Sequence, residues 1–281
     1  MQYSDILLAA DFDRTMTGTD TSVPQRNLEA IRYFSERGGK FALDTGRSVG
    51  SLGAFLKELP RDVPSILYTG SAMYQNGKLT QIQTISWELR DMLQTMGALF
   101  PDMELQSQGA QTDFLFDPTP ETVAMYRGMG WQYTLADPDT DVSPFMKFSL
   151  FGHPDYPAVS SLYGGTPEQI RRFDEAEALL REKFSDKVTV YRAAPRIIDM
   201  HAVGVSKIGA ARRLQKMLGC KVLVCVGDGK NDIGMLSGAD HAFCPADGEI
   251  AAQYETVCAC DDGAVADVIY EKIPAIPASQ P

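Results

Sequence analysis

Apolar residues are arranged in two textures along this chain. Near both ends, short unbroken apolar runs alternate with stretches of helical spacing. Ile6–Ala10 (ILLAA) is a five-residue run with no polar break, the pattern of a strand buried on both faces. From Pro24 to Arg37, Leu28, Ile31 and Phe34 recur at helical spacing, with Pro near the start and Gly38-Gly39 past the end. Lys40–Asp44 predicts a second strand, Val49–Glu58 a second helix and Ser65–Tyr68 a third strand. Asn76-Gly77, between alternating residues in 73–82, predicts a hairpin. The alternation resumes near residue 196. Arg196–Met200 and Lys221–Val226 predict strands, with a helix over Ser206–Leu218 between them. A helix near Asn231–Ser237, a strand near His241–Phe243 and a helix over Ala264–Tyr270 follow, and the Pro-containing tail Ile273–Pro281 is expected to fray. Strands separated by helices predict right-handed βαβ units and a parallel sheet.

Between these halves the pattern changes. Helical spacing over Trp87–Leu99 and Glu168–Phe184 is mixed with strand candidates at Thr112–Phe116, Phe145–Phe151 and Lys187–Arg192, punctuated by Pro138, Pro144, Pro154 and Pro157. The expected fold class is therefore α/β, with a core over 1–83 and 196–281 and an inserted α+β domain over 84–195. A domain inserted in a loop is a usual way to cover an active site.

Composition narrows the function. Hydrophobic residues make up 44% and charged residues 22% of the chain, which excludes a disordered one. With 26 basic and 37 acidic residues the net charge is −11, and no Lys/Arg run exists, so no nucleic-acid partner is expected. No apolar run approaches the ~20 residues of a membrane helix, so no membrane partner is expected, and the N-terminal run lacks the basic flank of a secretory signal. Five Cys without a C-x-x-C pair or a zinc-ligand pattern predict reduced, mostly buried thiols in a cytoplasmic protein. His153, His201 and His241 lack ligand spacing, and Trp87 and Trp131 read as packing residues.

The candidate chemistry sits at strand ends. Asp11-Phe12-Asp13-Arg14-Thr15 directly follows the first buried run, and ligands of open α/β sheets bind beyond the carboxyl ends of strands. Two acids at i and i+2 project to one side, although solvated loop acids or helix caps share this pattern. An EF-hand fails, because Met16 and Ser22 stand where Gly and Glu are needed. Gly227-Asp228-Gly229-Lys230-Asn231-Asp232 follows Lys221–Val226 and fits neither a dinucleotide nor a Walker glycine pattern. Asp-Gly turns are common, but two acidic strand ends in one sheet are harder to dismiss. Four converging Asp repel one another, and a hard divalent cation such as Mg²⁺ resolves this beside a phosphate. Asp44-Thr45-Gly46-Arg47 offers a hydroxyl and a backbone N–H for an anion, with a helix cap as the plainer reading. Lys207, after Gly204-Val205-Ser206, is either a solvated lysine or a charge clamp.

In order, DFDRT, TGR, GVSK and GDGKND resemble the four motifs of the haloacid dehalogenase superfamily. The 162 positions from Thr45 to Lys207 match its subgroup with a large cap after the third strand. The chain is most similar to the Cof-type, class IIB phosphatases with a C2-type cap, and Asp228–Leu236 and Asp262-Gly263 share the likeness. The resemblance implies a Rossmann-like core and a Mg²⁺-dependent phosphomonoesterase acting on small phosphorylated metabolites, sugar phosphates first. It implies Asp11 as nucleophile and Asp13 as general acid/base. It implies Asp11, the Asp13 backbone carbonyl and Asp228 as metal ligands, with Asp232 supporting the metal through water. Thr45, the Gly46 N–H and Lys207 would bind phosphoryl oxygens, with Asn231 touching the phosphoryl group or ordering its loop.

Two departures from the family pattern stand out. Arg14 occupies a usual glycine position, where a positive φ would strain it. Thr69-Gly70-Ser71-Ala72 stands where Asn-Gly-Ala is common. Arg47 and Ser71 are possible substrate contacts, and Arg192 and Arg196 flank the return from the insert. A sugar phosphomutase or a sucrose- or trehalose-phosphate phosphatase on the same core is the alternative, and a non-catalytic phosphometabolite-binding module the second. A monomer or homodimer is expected.

Overall fold

The computed structural model describes residues 2–152 and 164–276, so His153, Pro154, Pro157 and the last five residues of the tail lie outside the description. The chain divides into two compact units, residues 1–46, 54–80 and 206–281, and residues 47–53 and 81–205. The division falls at 80/81 and 205/206 where the sequence suggested 83/84 and 195/196, and the short segment 47–53 groups with the second unit.

In the first unit, β1 (Ile6–Ala10), α1 (Gln25–Glu36), β2 (Lys40–Leu43), β3 (Ser65–Leu67), β4 (Ala72–Gln75) and β5 (Lys78–Thr80) precede the break. After it come α6 (Lys207–Leu218), β12 (Val222–Val226), α7 (Ile233–Ser237), β13 (His241–Pro245), β14 (Glu255–Val257) and α8 (Ala264–Asp267). Five strands form one parallel sheet in the order β14-β13-β12-β1-β2. The unbroken run of β1 is explained by its central place, where both faces are covered. Leu7, Ala9, Ala42, Leu223 and Cys225 pack against Ala210, Ala211 and Leu214 of α6 and Met235 and Leu236 of α7. Each large aliphatic side chain so buried contributes about 1.5–3 kcal/mol. A parallel bridge from Asp44 to Ile66 links β2 to the antiparallel β3-β4-β5, whose last turn holds Asn76 at φ 50° and Gly77 at φ 81°. Asn-Gly is suited to this turn because both of its central residues need positive φ.

In the second unit, α2 (Val49–Leu52) is followed by α3 (Leu89–Leu99), β6 (Glu104–Gln108), β7 (Asp113–Phe116), α4 (Pro120–Met129) and β8 (Tyr133–Ala136). Then come β9 (Lys147–Phe151), α5 (Pro167–Lys183), β10 (Thr189–Ala194) and β11 (Ile197–His201). Six strands form one sheet in the order β10-β11-β9-β6-β7-β8, antiparallel except for β7-β8, which α4 connects. Met92 and Met96 of α3 and Phe173, Ala176 and Leu180 of α5 pack on Phe148, Leu150, Ile198 and Met200.

Several expectations change. The strand predicted at Arg196–Met200 as part of the parallel core is β11, one strand in from the edge of the second unit's sheet, because its apolar Ile198 and Met200 pack against α5 while Asp199 and His201 share the opposite face. The helix expected over Val49–Glu58 stops after one turn at Gly53, φ 52°, and continues as a 3₁₀ segment. The helix over Ala264–Tyr270 widens into a π-turn from Val268. All five cysteines are unpaired, and four are buried. Among the described residues no helix is long and apolar enough to cross a membrane.

Candidate active site

Adjacent strands carry the site. The chain runs from β1 outward to β2 on one side and returns through β12, β13 and β14 on the other, so the order reverses at β1. Ligands of open parallel sheets bind at such a reversal, beyond the carboxyl ends. Asp11 follows β1, Asp228 closely follows β12, and Asp44-Thr45 follows β2. Ladder-like bonds extend past the strands and fix these ends in register: the Asp11 N–H donates to Val226 O at 2.9 Å and the Asp44 N–H to Ala10 O at 2.8 Å.

The carboxylates of Asp11, Asp228 and Asp232 each present an oxygen within 4.8 Å of the others. Gly227 permits this crowding, since a Cβ there would lie 2.7 Å from the Asp232 Cβ. Asp232 Oδ2 accepts from the backbone N–H groups of Asp228 and Gly229 at 3.2 and 3.1 Å. Asp13 contributes no carboxylate to the cluster.

Lys207 is the cation of the site. It is the first residue of α6, whose cap is the Ser206 hydroxyl accepting from the Gly209 N–H at 3.1 Å. A lysine there stands at the unfavourable, positive end of the helix dipole. Its partners compensate: Nζ donates to Asp11 Oδ1 at 2.5 Å and to Asp232 Oδ1 at 2.7 Å, all three side chains being buried. Gly70, at φ 98°, lets the turn after β3 reach α6, because a Cβ there would lie 2.5 Å from Ser206 O.

Proton affinities follow from burial and crowding. Desolvation, then repulsion by Asp232, pushes Asp11 well above the usual carboxylate range, against the pull of Lys207. The same two causes push Asp228 up to about 7, opposed by Lys207 and Arg14. Burial alone would lower Lys207, but Asp11, Asp232 and Asp44 together outweigh it and hold the ammonium charged. Too many acids thus converge on one lysine. All-oxygen donors that repel one another fit a hard divalent cation.

Thr45 is buried and Gly46 half-buried at the end of β2. The Thr45 N–H donates to Ile66 O, and the Thr69 N–H to Thr45 O, both at 3.0 Å. The Thr69 hydroxyl stands 3.2 Å from where a Gly46 Cβ would be. Asn231 is half-buried and lies in the loop with Gly229, where its Oδ1 is 2.7 Å from a would-be Cβ. Ser71 is fully buried behind the turn. Arg47 falls in the second unit, with Nη1 donating to Ser51 O at 3.5 Å.

The two sequence departures have structural counterparts. Arg14 does adopt a positive φ, 56°, and its guanidinium lies 3.8 Å from Asp228 and 3.5 Å from Asp247. A strained backbone is thus accompanied by two ion pairs that glycine would lack. Thr69 has φ 58° and Tyr68 φ 52°, so the expected Asn position requires the left-handed conformation that Asn tolerates better than Thr.

Sequence reasoning missed three residues here. The buried Thr15 donates its hydroxyl to Asp228 Oδ1 at 3.4 Å. Asp247 pairs with Arg14 and accepts from the Cys260 N–H at 2.9 Å, and no motif flagged it. Asp44 is fully buried; its signal was an acid closing the otherwise apolar run FAL.

These features define a class: an α/β protein with an acid-and-lysine site on the carboxyl ends of neighbouring parallel strands. Comparison with known proteins narrows it. A family profile described as haloacid dehalogenase-like hydrolase matches residues 8–269, and the chain belongs to that family. A Haemophilus influenzae protein named "Putative phosphatase" is 23% identical over 249 residues, covering 86% of each chain. A haloacid dehalogenase-like hydrolase from Bacteroides thetaiotaomicron superposes with a TM-score of 0.75 at 18% identity, over 95% of this chain and 98% of that one. A solved subclass IIB sugar phosphatase superposes with a TM-score of 0.72 at 16% identity, over 96% and 99%.

Proposed function

We propose that this hydrolase is a Mg²⁺-dependent phosphomonoesterase acting on small phosphorylated metabolites, sugar phosphates first, through an aspartyl-phosphate on Asp11. The observation that carries the reading is the cluster of Asp11, Asp228 and Asp232 carboxylates, with Lys207 bridging Asp11 and Asp232. Asp11, Asp228, the Asp13 carbonyl and Asp232 would hold the cation, which offsets repulsion between an anionic carboxylate and an anionic phosphate. Thr45, the Gly46 N–H, Lys207 and Asn231 would hold the phosphoryl oxygens, where charge spreads in the transition state. In the first step an Asp11 oxygen bonds to phosphorus, the bond to the ester oxygen breaks, and Asp13 gives its proton to the departing alkoxide. In the second, Asp13 takes a proton from water as that water attacks phosphorus, releasing orthophosphate and restoring Asp11. Residues 81–205 serve as the cap, and the name of the solved sugar phosphatase supports the substrate class.

The test is phosphate release from sugar phosphates, nucleotides and an aryl phosphate, by wild type and Asp11→Asn, with Mg²⁺ and with EDTA. Turnover that needs both Mg²⁺ and Asp11, with sugar phosphates ranked first, is expected. Absence of turnover by folded, Mg²⁺-supplied wild type on every member contradicts the proposal.

A further inference from the structure

Edge strands carry unpaired backbone groups that invite pairing with another chain. The two edges of the second unit's sheet differ in how they meet this hazard. β10 has a break in register between Arg192 and Ala194, the kind of bulge that blunts an edge. β8, at the far end of the strand order, is Tyr-Thr-Leu-Ala, without charge, proline or bulge. Its Leu135 is 64% exposed, more than any other large apolar side chain among the described residues. The ladder to β7 settles which backbone groups of β8 point outward. The Asp113 N–H donates to Gln132 O at 3.1 Å. Groups alternate along a strand, so Thr134 and Ala136 also turn toward β7, while Tyr133 and Leu135 present their N–H and C=O away from the sheet. The next outward residue, Asp137, is already engaged: its N–H donates to Thr140 Oγ1 at 2.9 Å and its carbonyl accepts from the Thr140 N–H at 3.1 Å. Two donors and two acceptors therefore stand open on β8, with no described strand beside them.

We propose that β8 is the contact between two copies of this chain, the two β8 strands running antiparallel about a two-fold axis that passes between their Thr134 residues. In this register Tyr133 of each copy faces Leu135 of the other. Each such pair exchanges two N–H···O bonds, so every open group of Tyr133 and Leu135 is satisfied on both copies. Registers centred on Tyr133 or on Leu135 set these residues against Trp131 or Asp137, whose N–H groups are used within their own chain. The side chains agree. On the face shared with α4, the Tyr133 ring of one copy covers Leu135 of the other, and on the opposite face Thr134 meets its own counterpart. Leu135 also lines an apolar groove of about 630 Å³ with Leu93, Leu115, Phe116 and Val123, and the ring of the second copy lies at its rim. Charge is complementary too. Arg127 Nε donates to the Tyr133 hydroxyl at 3.0 Å, which sets a guanidinium beside the place where Asp137 of the second copy arrives, and symmetry repeats the pair. The contact is at the small end of specific interfaces, so a concentration-dependent equilibrium is expected, not a permanent dimer. It lies within the second unit and is independent of the chemistry proposed above.

The test is sedimentation velocity of the full chain from ~5 to ~500 µM, because mass action draws out a self-association as concentration rises. Wild type is expected to move from monomer toward dimer across this range. Leu135→Lys puts a charge at the contact and should raise the dissociation constant about tenfold or more. Arg127→Asp and Asp137→Arg should each weaken association, and an equimolar mixture of the two should restore it, since each charge then meets its opposite. Melting curves confirm that each variant is folded. Should Asp137→Arg disturb its own turn, Leu135→Pro is read instead: it removes one outward N–H and no bond to β7, and should leave a folded monomer. A monomer at every concentration overturns the inference and leaves the open edge to a strand of another protein. A dimer that Leu135→Lys leaves intact also overturns it, by placing the contact elsewhere, as does a mixture that associates no better than its components.

Discussion

Each unit buries a lysine among acids, and the two do so in opposite ways. In the second unit Lys147 and Asp199 pair at 2.6 Å, and the Ser149 hydroxyl donates to Asp199 Oδ1 at 2.7 Å. Nearby, Tyr126 donates to Gln106 Oε1 at 2.8 Å and lies 3.2 Å from Asp113, whose carboxyl burial lifts to about 6. Burial likewise pushes His201 down to about 4, so it sits neutral. Here the lysine is paired directly with Asp199, and the neighbouring buried acids Asp113 and Glu104 accept from the hydroxyls of Tyr126 and Thr119. In the first unit Lys207 stands against Asp11, Asp44, Asp228 and Asp232. A balanced buried pair is self-sufficient. An unbalanced cluster is stable only by holding protons or by binding a cation, and that imbalance makes the first unit the place for the proposed site.

The largest expected effect breaks the comparison at the chemistry. Asp11→Asn removes the proposed nucleophile and should lower turnover by about 10³-fold or more, measured as phosphate release, while leaving the fold intact. Next is the balanced pair. Lys147→Met leaves Asp199 buried and uncompensated and should cost about 3–5 kcal/mol in urea unfolding, with the double change Lys147→Met/Asp199→Leu recovering much of it.

A pH series sharpens the contrast further. Asp44 and Asp228 bind protons more tightly folded than unfolded, so their contribution is fully present below about pH 4 and is lost as pH rises toward about 7. In EDTA the melting temperature should therefore fall across that window. Added Mg²⁺ should raise it more at pH 8 than at pH 5, since the ion displaces the protons; equal stabilisation at both would contradict the charge argument. The smallest effect belongs to Arg14→Gly. It relieves the φ of 56° but frees Asp228 of a competing guanidinium, so apparent Mg²⁺ affinity in turnover assays should improve by about two- to threefold.

The parallel core was legible because its strands are buried on both faces, so β1 and β12 appear as unbroken apolar runs. The motif residues were legible because each lies at the end of such a run or the start of a helix. The second unit was harder to read. β6 (ELQSQ) places the buried Glu104 and Gln106 and the half-buried Gln108 on one polar face, which erases the expected alternation. β11 (IIDMH) looks like a core strand because its polar Asp199 and His201 are buried too. The positive φ at Arg14 was foreseeable from the usual glycine. The ion pairs around it join positions 14, 228 and 247, and no local pattern reveals them.

The most direct test of the account is covalent capture. Protein mixed with an aryl phosphate and Mg²⁺, quenched in acid and mapped by mass spectrometry, should carry a phosphoryl group on the peptide containing Asp11. The label should build up further in Asp13→Asn, where the second step is impaired, and vanish in EDTA. Phosphate released at the wild-type rate by Asp11→Asn, with no label on that peptide in any quench, would contradict it.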